Sequence, residues 1–494
     1  MESKNDLLEV RKERYRPQFH YSPQSNWMND PNGMVYFKGE YHLFYQYHPN
    51  STKWGPMHWG HAVSEDLIHW EELQIAMAPD ENGMIFSGCA VIDWENTSGL
   101  FPDEPGMVAI FTHADTYPDS DRPRQRQSIA YSVDQGRTWV KYKGNPVLMD
   151  DSITDFRDPK VFWHNETGHW VMVVAAGDHV RLYQSNNLIK WEFLSSFGEN
   201  EGSHDGVWEC PDLFSLSIEG TNKRKWAMIV SIGENENIPF GSRTQYFIGD
   251  FDGTHFVNDH DHDTEIWFDY GRDNYASVMF SNMKEHRRVS MGWMSNWNYA
   301  NDVPTSTWRS SMTIPRVLSL VETENGLRIN QQPVREVHKL RVDTHTVEQR
   351  EIDSEEYLLP DSFGERSIEI VAEFEINSAE KCGLKVLKSE HEETIVGYDV
   401  DNKQVYVDRR CSGDSYFHKT FSSIERAPIK ISDKKFKLHI FVDRSSVEVF
   451  ANGGEAVITN LVFPKTDGSD VLVFAEDGAV KLNDLKIFHL KSIW

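Results

Sequence analysis

The chain has 494 residues, of which 77 are acidic and 50 are basic, so that its formal net charge is −27. This length exceeds one ordinary hydrophobic core, and we therefore expect two or three domains. The acidic excess argues against nucleic acid and anionic membranes as partners. No stretch approaches the roughly 18 consecutive apolar residues that a membrane span requires.

The N-terminal residues 1–17 lack the apolar core of a secretory signal. We therefore expect the protein to be cytoplasmic as written, or secreted if a signal has been removed. Four cysteines are few for this length and show no metal-ligand spacing, which argues against a disulfide scaffold; they are Cys89, Cys210, Cys382 and Cys411. The sequence leaves open whether Cys382 and Cys411 pair.

Short apolar and aromatic runs between turn residues indicate mainly β structure; they lie at residues 34–37, 41–47, 160–163 and 170–176. A degenerate unit of strand, Ser, tight turn and aromatic residue also recurs, at residues 62–70, 130–139 and 183–191, with a weaker copy at 249–256. The spacing of about 50 to 70 residues leaves room for four strands per unit, which predicts the blades of a β-propeller. A sandwich of short strands would need no such repeat.

The pattern changes at a charged segment, residues 336–358, which we interpret as a linker. It separates a propeller over residues 1–335 from a second domain over residues 359–494. Strands expected at residues 367–376, 436–443 and 446–451 alternate between apolar and polar side chains, which is typical of a two-sheet β-sandwich. The predicted fold class is therefore all-β.

The stretch NWMNDPNGM places the carboxylate of Asp30 among Trp27, Met28 and Met34. A turn alone would explain Asn, Asp, Pro and Gly in this order. An ionised carboxylate in apolar surroundings is nevertheless costly unless it is paired, hydrogen-bonded or chemically useful.

Two further carboxylates stand in similar settings. Asp158 precedes Pro159 in the stretch DFRDP, and Glu209 lies between Trp208 and Cys210 in the stretch VWECPD. The first strands of successive blades line the channel of a propeller, so residues distant in sequence converge there. Glycoside hydrolysis requires one ionised carboxylate as nucleophile and one protonated carboxyl group as acid. A third carboxylate would bind sugar hydroxyls.

With WMNDPNG, FRDP and WECP in this order, the chain resembles glycoside hydrolase family 32, the β-fructofuranosidases that include invertases, inulinases and levanases. Further matching blocks cover nearly the whole chain: FYQY (44–47), WGPMHWGH (54–61), IFSG (85–88), DYGRD (269–273), GWMSNW (292–297), WRSSM (308–312) and DRSSVEVFAN (443–452). The resemblance implies a five-bladed β-propeller followed by a C-terminal β-sandwich, with no cofactor.

By position, the resemblance implies that Asp30 is the nucleophile, Glu209 the acid/base and Asp158 the stabiliser of the transition state. It also implies a set of fructose-binding residues, namely Asn29, Gln46, Trp54, Phe86, Ser87, Arg157, Asp273, Trp297 and Trp308. One departure is Cys89, where many members have a second Ser after the FSG block; we expect this change to affect packing rather than chemistry.

Two other sequence features, an acidic segment and Cys210, have simpler interpretations than a functional site. The segment at residues 258–265 alternates Asp and His, but nothing nearby would hold these side chains rigidly around an ion, so we interpret it as a solvated acidic loop and predict no metal site. No His is placed to activate Cys210, which we expect to behave as a small buried hydrophobe rather than as a nucleophile.

The predicted function is that of a retaining exo-β-D-fructofuranosidase acting on fructans and sucrose, with its two catalytic carboxyl groups about 5 to 5.5 Å apart. Alternatives are a sucrose-specific invertase, a fructosyltransferase, or a carbohydrate-binding propeller without catalysis. No basic cluster near the signature blocks would hold a phosphate, so we expect unphosphorylated substrates. The preference between β-2,6 and β-2,1 linkages and a homo-oligomer formed through the β-sandwich stay open.

Overall fold

Strands make up almost all regular structure in the computed structural model of the protein, which describes residues 12–235, 237–359 and 366–494. Two short 3-10 helices occur in these residues, Lys284–His286 and Arg335–Leu340. In the same residues, no helix has the length and apolar character that crossing a membrane would require.

The described part of the first 333 residues forms five sheets. The first sheet comprises β1 (Asn26–Phe37), β2 (Glu40–His48), β3 (His58–Ser64) and β4 (Glu71–Glu72). The second comprises β5 (Met84–Asp93), β6 (Gly106–Thr116), β7 (Pro123–Ser132) and β8 (Val140–Lys141). The third comprises β9 (Phe156–His164), β10 (His169–Ala176), β11 (Val180–Ser185) and β12 (Glu192–Phe197).

The fourth sheet comprises β13 (Trp208–Ser217), β14 (Arg224–Ile232), β15 (Arg243–Phe251) and β16 (Phe256–Asn258). The fifth comprises β17 (Tyr275–Met279), β18 (Val289–Met294), β20 (Ser311–Met312), β21 (Arg316–Thr323) and β22 (Gly326–Pro333). Between its strands the chain returns to the first sheet, where β19 (Trp308–Arg309) pairs in parallel with β1.

The five sheets stand in a ring. The first strand of each sheet contacts the first strand of the next, from β1 through β5, β9 and β13 to β17, and β17 contacts β1. These inner strands are buried along most of their length, since neighbouring sheets cover both of their faces. The predicted order of a β-propeller followed by a β-sandwich is confirmed.

The sequence repeats occupy one equivalent position in four successive sheets, the turn between the third and fourth strands. In three of these turns a Trp indole donates to a carbonyl three residues earlier: Trp70 to Leu67, Trp139 to Gly136 and Trp191 to Leu188. The tryptophan therefore closes the turn, which explains why the aromatic residue recurs in the repeat.

The C-terminal domain is a sandwich of two antiparallel sheets. One comprises β23 (Arg341–Val347), β24 (Arg350–Asp353), β26 (Ile368–Ile376), β31 (Lys435–Asp443), β32 (Ser446–Ala451), β33 (Ala456–Leu461) and β35 (Ala479–Leu490). The other comprises β25 (Glu356–Leu358), β27 (Lys381–Lys388), β28 (Thr394–Asp399), β29 (Gln404–Asp408), β30 (Ile424–Pro428) and β34 (Asp470–Glu476).

The first of these sheets lies between the sandwich core and the propeller. On β31, Leu438 and Ile440 point into the sandwich core, whereas Phe441 packs with propeller residues. This alternation is the period of a strand that is buried on both faces.

The predicted linker at residues 336–358 is wrong over most of its length. Strands β23, β24 and β25 lie within it, and they pair with β35 and β34 of the sandwich. The segment reads as a linker because these are edge strands, whose outward side chains are charged and exposed. The sandwich therefore begins near residue 341.

The open question of Cys382 and Cys411 is settled, because both are free thiols. Cys382 is buried in the sandwich core, whereas Cys411 is exposed. The Cys89 thiol accepts a hydrogen bond from the backbone N–H of Val161 (3.1 Å) between two sheets of the ring, and burial raises its pKa to about 12.

Candidate active site

The three predicted carboxylates lie near the start of first strands, Asp30 in β1, Asp158 in β9 and Glu209 in β13. In each strand a proline follows within two residues, and the pairing with the neighbouring strand shifts register there. Proline donates no backbone hydrogen bond and bulges re-aim side chains. The bends therefore explain how the three carboxylates come to share neighbours.

The two oxygens of Asp30 differ in their surroundings. Oδ2 accepts a hydrogen bond from Ser87 Oγ (2.7 Å) and lies 3.6 Å from Cys210 Sγ. Oδ1 is buried and has no hydrogen-bond partner among the described residues. Burial raises the pKa of Asp30 and the Glu209 carboxyl raises it further, while Ser87, Asn29 and Cys210 oppose the rise.

Asp158 is held by backbone and thiol donors. Its Oδ2 accepts a hydrogen bond from the backbone N–H of Cys210 (3.0 Å), and its own N–H donates to Thr112 Oγ1 (3.0 Å). Its φ of 64° lies in the left-handed region, a strained conformation typical of functional sites. Burial raises the pKa of Asp158 to about 7; Arg157 opposes the rise, while Glu209 and Asp30 add to it.

Glu209 is bound at both oxygens. Arg157 Nη2 donates to Oε1 (2.8 Å), and the hydroxyl of Tyr275 donates to Oε2. Arg157 also donates to Asp155 (2.5 Å) and lies 3.9 Å from Asp158. The Glu209 side chain is 22% exposed, so it stands at the mouth of the carboxylate cluster rather than at its floor.

The predicted sugar-binding residues near β1 and β5 lie beside this cluster. Gln46 donates to the backbone carbonyl of Ile85, next to Phe86 and Ser87. Asn29 accepts a hydrogen bond from the Trp27 indole (2.7 Å). Trp54 is 42% exposed and packs edge-on against Phe86, with 6.3 Å between ring centroids. Trp54 and Phe86 thus form an accessible aromatic wall.

Asp273, predicted as a sugar-binding residue, does not lie in this cluster. Its carboxylate is fully buried between the domains, where it accepts hydrogen bonds from Arg409 (2.6 Å), Tyr299 (2.6 Å) and the backbone of Leu461 (2.8 Å). Both of its oxygens therefore accept hydrogen bonds from residues that join the two domains.

The two predicted sugar-binding tryptophans near the end of the propeller sequence, Trp297 and Trp308, also pack against other side chains. Trp308 is only 4% exposed, and the Arg16 guanidinium lies 4.4 Å above its ring. Trp297 is partly exposed and stacks on Trp27, with ring centroids 6.0 Å apart. Of the two, Trp297 retains a surface that a ligand can contact.

Tyr275 and Cys210 are functional neighbours that the sequence did not reveal as such. Cys210, expected to be a small buried hydrophobe, is buried and lies 3.6 Å from an oxygen of both Asp30 and Asp158. Burial and the adjacent carboxylates raise its pKa, so the group is a protonated weak donor and no nucleophile. Tyr275 lies two residues after the DYGRD block, but the sequence does not show that its side chain points toward Glu209.

No group of three or more His, Cys, Asp or Glu side chains is placed to bind a metal within the described ranges. In the acidic segment at residues 258–265, Asp259 pairs with Lys225 (2.8 Å). Its remaining charge faces solvent, as His262 and Asp263 are 74% and 81% exposed.

Comparison with known proteins places this arrangement in one family. Residues 20–333 match the N-terminal domain of glycosyl hydrolases family 32, and residues 336–489 match the C-terminal domain of the same family. The chain is 50% identical over 489 residues to a levanase of Bacillus subtilis (strain 168), covering 98% of this chain and 71% of that protein.

Two further proteins are similar along the chain. A levanase of Bacillus sp. (strain L7) is 40% identical over 495 residues, and this chain spans 53% of its length. The crystal structure of an exo-inulinase from Aspergillus awamori superposes with a TM-score of 0.89 at 36% identity, covering 98% of this chain and 99% of that one.

Proposed function

The chain belongs to glycosyl hydrolase family 32, and from this we propose that it is a retaining exo-β-D-fructofuranosidase that releases terminal fructose from fructans and sucrose. The observation that carries the proposal is the carboxylate cluster of Asp30, Asp158 and Glu209, drawn from three sheets onto shared neighbours. Family membership makes the protein a glycoside hydrolase, and the cluster supplies the carboxyl pair that such chemistry requires.

Asp30 is the proposed nucleophile. Ser87 and Cys210 fix one oxygen and leave Oδ1 without a partner among the described residues, which suits attack on the anomeric C2 of a fructosyl unit. The bond from C2 to the departing oxygen breaks as the bond to Oδ1 forms, giving a covalent fructosyl-enzyme. Water then attacks C2 and regenerates the carboxylate.

Glu209 is the proposed acid and base. Its partial exposure places it where a leaving group departs and water enters, and Arg157 and Tyr275 hold its orientation. Protonated, it donates to the leaving oxygen; ionised, it takes a proton from the incoming water.

Asp158 is the proposed stabiliser of the transition state. Held by Cys210 N–H and the nearby Arg157, its carboxylate would bind ring hydroxyls more strongly as positive charge develops at C2. Asn29, Gln46, Phe86 and Trp54 supply the proposed walls of the fructose pocket. Oligomerisation through the sandwich remains a separate proposal, which size-exclusion chromatography tests.

The product profile on levan, inulin and sucrose tests this function. We expect free fructose from all three, in the β-configuration when observed by NMR at early times, because two displacements retain stereochemistry. Longer or two-unit oligosaccharides without free fructose would indicate a different cleavage position. Activity confined to sucrose would support the invertase alternative, and transfer products at high sucrose would support the fructosyltransferase.

Two simple controls separate the remaining alternatives. A binding protein without catalysis would retain levan and release no fructose. Dialysis against a chelator should leave the rate unchanged, since the proposed steps use only carboxylates and water.

A further inference from the structure

A cavity of about 1030 Å³ opens at the far ends of the strands that carry the carboxylates. On β9, Trp163 lines the cavity and follows Asp158 by five residues, which is about 16 Å along a strand. On β13, Ser215 lines it six residues beyond Glu209. The cavity thus lies on the face of the propeller opposite the carboxylate cluster.

An ion pair separates the two regions. Lys160 Nζ lies 2.8 Å from Asp212 Oδ2, both side chains are buried, and both line the cavity. Between this pair and the carboxylates lies a void of only about 10 Å³, which is hardly enough for one water molecule. A ligand in the cavity therefore does not extend into the cluster and would need its own recognition chemistry.

Two tryptophans present open ring surface to this cavity. Trp94 is 54% exposed and Trp163 is 39% exposed. Each is braced edge-on by a neighbour, Trp94 by Phe37 (5.9 Å between centroids) and Trp163 by Trp170 (5.3 Å). Held rings of this size in a concave surface are characteristic of binding sites.

The charged groups of the cavity are largely engaged within the protein. Asp93 accepts hydrogen bonds from Thr97 and Ser98, and Arg224 donates to Ser215 and Ser217. With Lys160 and Asp212 paired, the exposed carboxylates of the lining are those of Glu95 and Glu166, which oppose the binding of an anion. What remains is a pair of flat apolar rings whose indole N–H groups have no acceptor among the described residues, together with scattered polar atoms.

We propose that this cavity is a second, non-catalytic site for a fructan chain. A neutral sugar ring offers an apolar face of C–H groups that packs on an indole and hydroxyls that accept from N–H, which matches the walls described. The inference rests on the proposed function for its choice of sugar. A polymer held at one face raises the local concentration of chain ends at the other, so the gain applies to long substrates only.

The experiment compares Trp94→Ala/Trp163→Ala with the wild-type enzyme on levan and on sucrose. We expect KM for levan to rise about fivefold or more, with kcat on levan and both constants on sucrose unchanged. The matched control is Phe193→Ala/Tyr416→Ala, which removes two exposed aromatic rings outside the cavity. A rise in KM that is equal for both substrates, or equal in the control, would overturn the proposal.

A direct binding measurement distinguishes this proposal from the proposed function. Calorimetric titration of Asp30→Asn with a β-2,6-linked fructan oligosaccharide should show two classes of site, of which the tryptophan double variant loses one. A single class that persists in the double variant would contradict the second site even if fructose release is intact. If one class is lost in the double variant while the wild-type enzyme releases no fructose from levan or sucrose, the second site stands and the hydrolase proposal is rejected.

A more conservative double variant controls for misfolding of the alanine variant. Trp94→Phe/Trp163→Phe keeps a ring in each position but removes the N–H donor, so its KM for levan should lie between those of the wild type and the alanine variant. If the phenylalanine variant melts like the wild type and both variants have wild-type KM on levan, the cavity does not bind the substrate.

Discussion

At the scale of single residues, the three carboxyl groups of the cluster differ in their hydrogen-bond partners and in their exposure. Asp30 keeps one oxygen free in a buried position, whereas Glu209 is bound at both oxygens and partly exposed. Two carboxyl groups with such different surroundings separate into nucleophile and acid.

We expect Asp30→Asn and Glu209→Gln each to lower kcat on sucrose by at least about a thousandfold, because the amides can neither attack C2 nor transfer a proton. Both changes conserve shape, and thermal melts should show folded proteins. An activated aryl fructoside, whose leaving group needs no proton, should restore bond cleavage to Glu209→Gln but not to Asp30→Asn. Near-normal turnover by either variant would reject its assigned role.

Asp158→Asn separates stabilisation from bond formation. Because Asp158 neither attacks nor transfers a proton, we expect measurable residual activity with a reduced kcat. Unchanged kcat in this variant would remove Asp158 from the reaction.

Tyr275 acts through Glu209, so its loss should affect the chemical step rather than binding. We expect Tyr275→Phe to lower kcat about tenfold or more with little change in KM, since the hydroxyl holds the carboxyl group that protonates the leaving group. Tyr246→Phe is a matched control, a buried tyrosine whose hydroxyl accepts from the backbone of Ile329 far from the cluster. Equal losses in both variants would indicate a packing effect.

At the scale of elements, the side-chain directions at the start of β17 could not be predicted from the sequence. Asp273 and Tyr275 are two residues apart, yet Asp273 joins Arg409 of the sandwich and Tyr275 joins Glu209. Strand alternation would put both on one face, but Asp273 precedes the strand, where that period does not hold. The sequence contained both side chains but not the bend between them.

Asp273→Asn should therefore destabilise the protein without changing its kinetics at low temperature. Removing one partner of a buried ion pair costs about 3 to 5 kcal/mol because the other charge is left without compensation. Urea unfolding measures this loss, and the double variant with Arg409→Gln should lose less than the sum of the single variants. A raised KM at unchanged stability would return Asp273 to the sugar pocket.

Other elements were predictable because their signal is local. Three of the turn repeats carry a Ser and a Trp whose hydrogen bonds lie within a few residues, and with the weaker fourth copy they mark the same turn in four sheets. The strands within residues 341–358 were missed because an edge strand exposes its charged side chains, and its pairing with β35 and β34 lies more than a hundred residues away. Long-range pairing leaves no local pattern.

At the scale of the whole molecule, a buried polar network joins the two domains. His20 lies between Asp443 (2.8 Å) and Glu448 (2.8 Å), and Glu448 also binds Arg316 of the propeller. Burial lowers the pKa of His20, but hydrogen bonds from the imidazolium to the two carboxylates outweigh it and raise the pKa from 6.5 to about 9. The protonated ring is therefore part of the folded state at neutral pH.

This network predicts a pH dependence of stability. A pKa raised on folding contributes stability that is complete below about pH 6.5 and is lost as the pH rises through 9, on the order of 3 kcal/mol in all. Urea midpoints between pH 6 and pH 10 should fall for the wild type more steeply than for His20→Gln, which cannot titrate. Parallel curves for the two proteins would mean that His20 is neutral when folded.

The parallel pairing of β19 with β1 has a consequence for the protein during its synthesis. Strand β1, which carries Asp30, has β2 on one edge and β19 on the other. Strand β19 consists of Trp308 and Arg309, which leave the ribosome almost three hundred residues after β1. A nascent chain can complete the second, third and fourth sheets in order, while the first keeps an open edge. Hydrolytic competence should therefore appear late and abruptly, and ribosome-bound fragments that stop short of residue 308 should be inactive and sensitive to protease along β1.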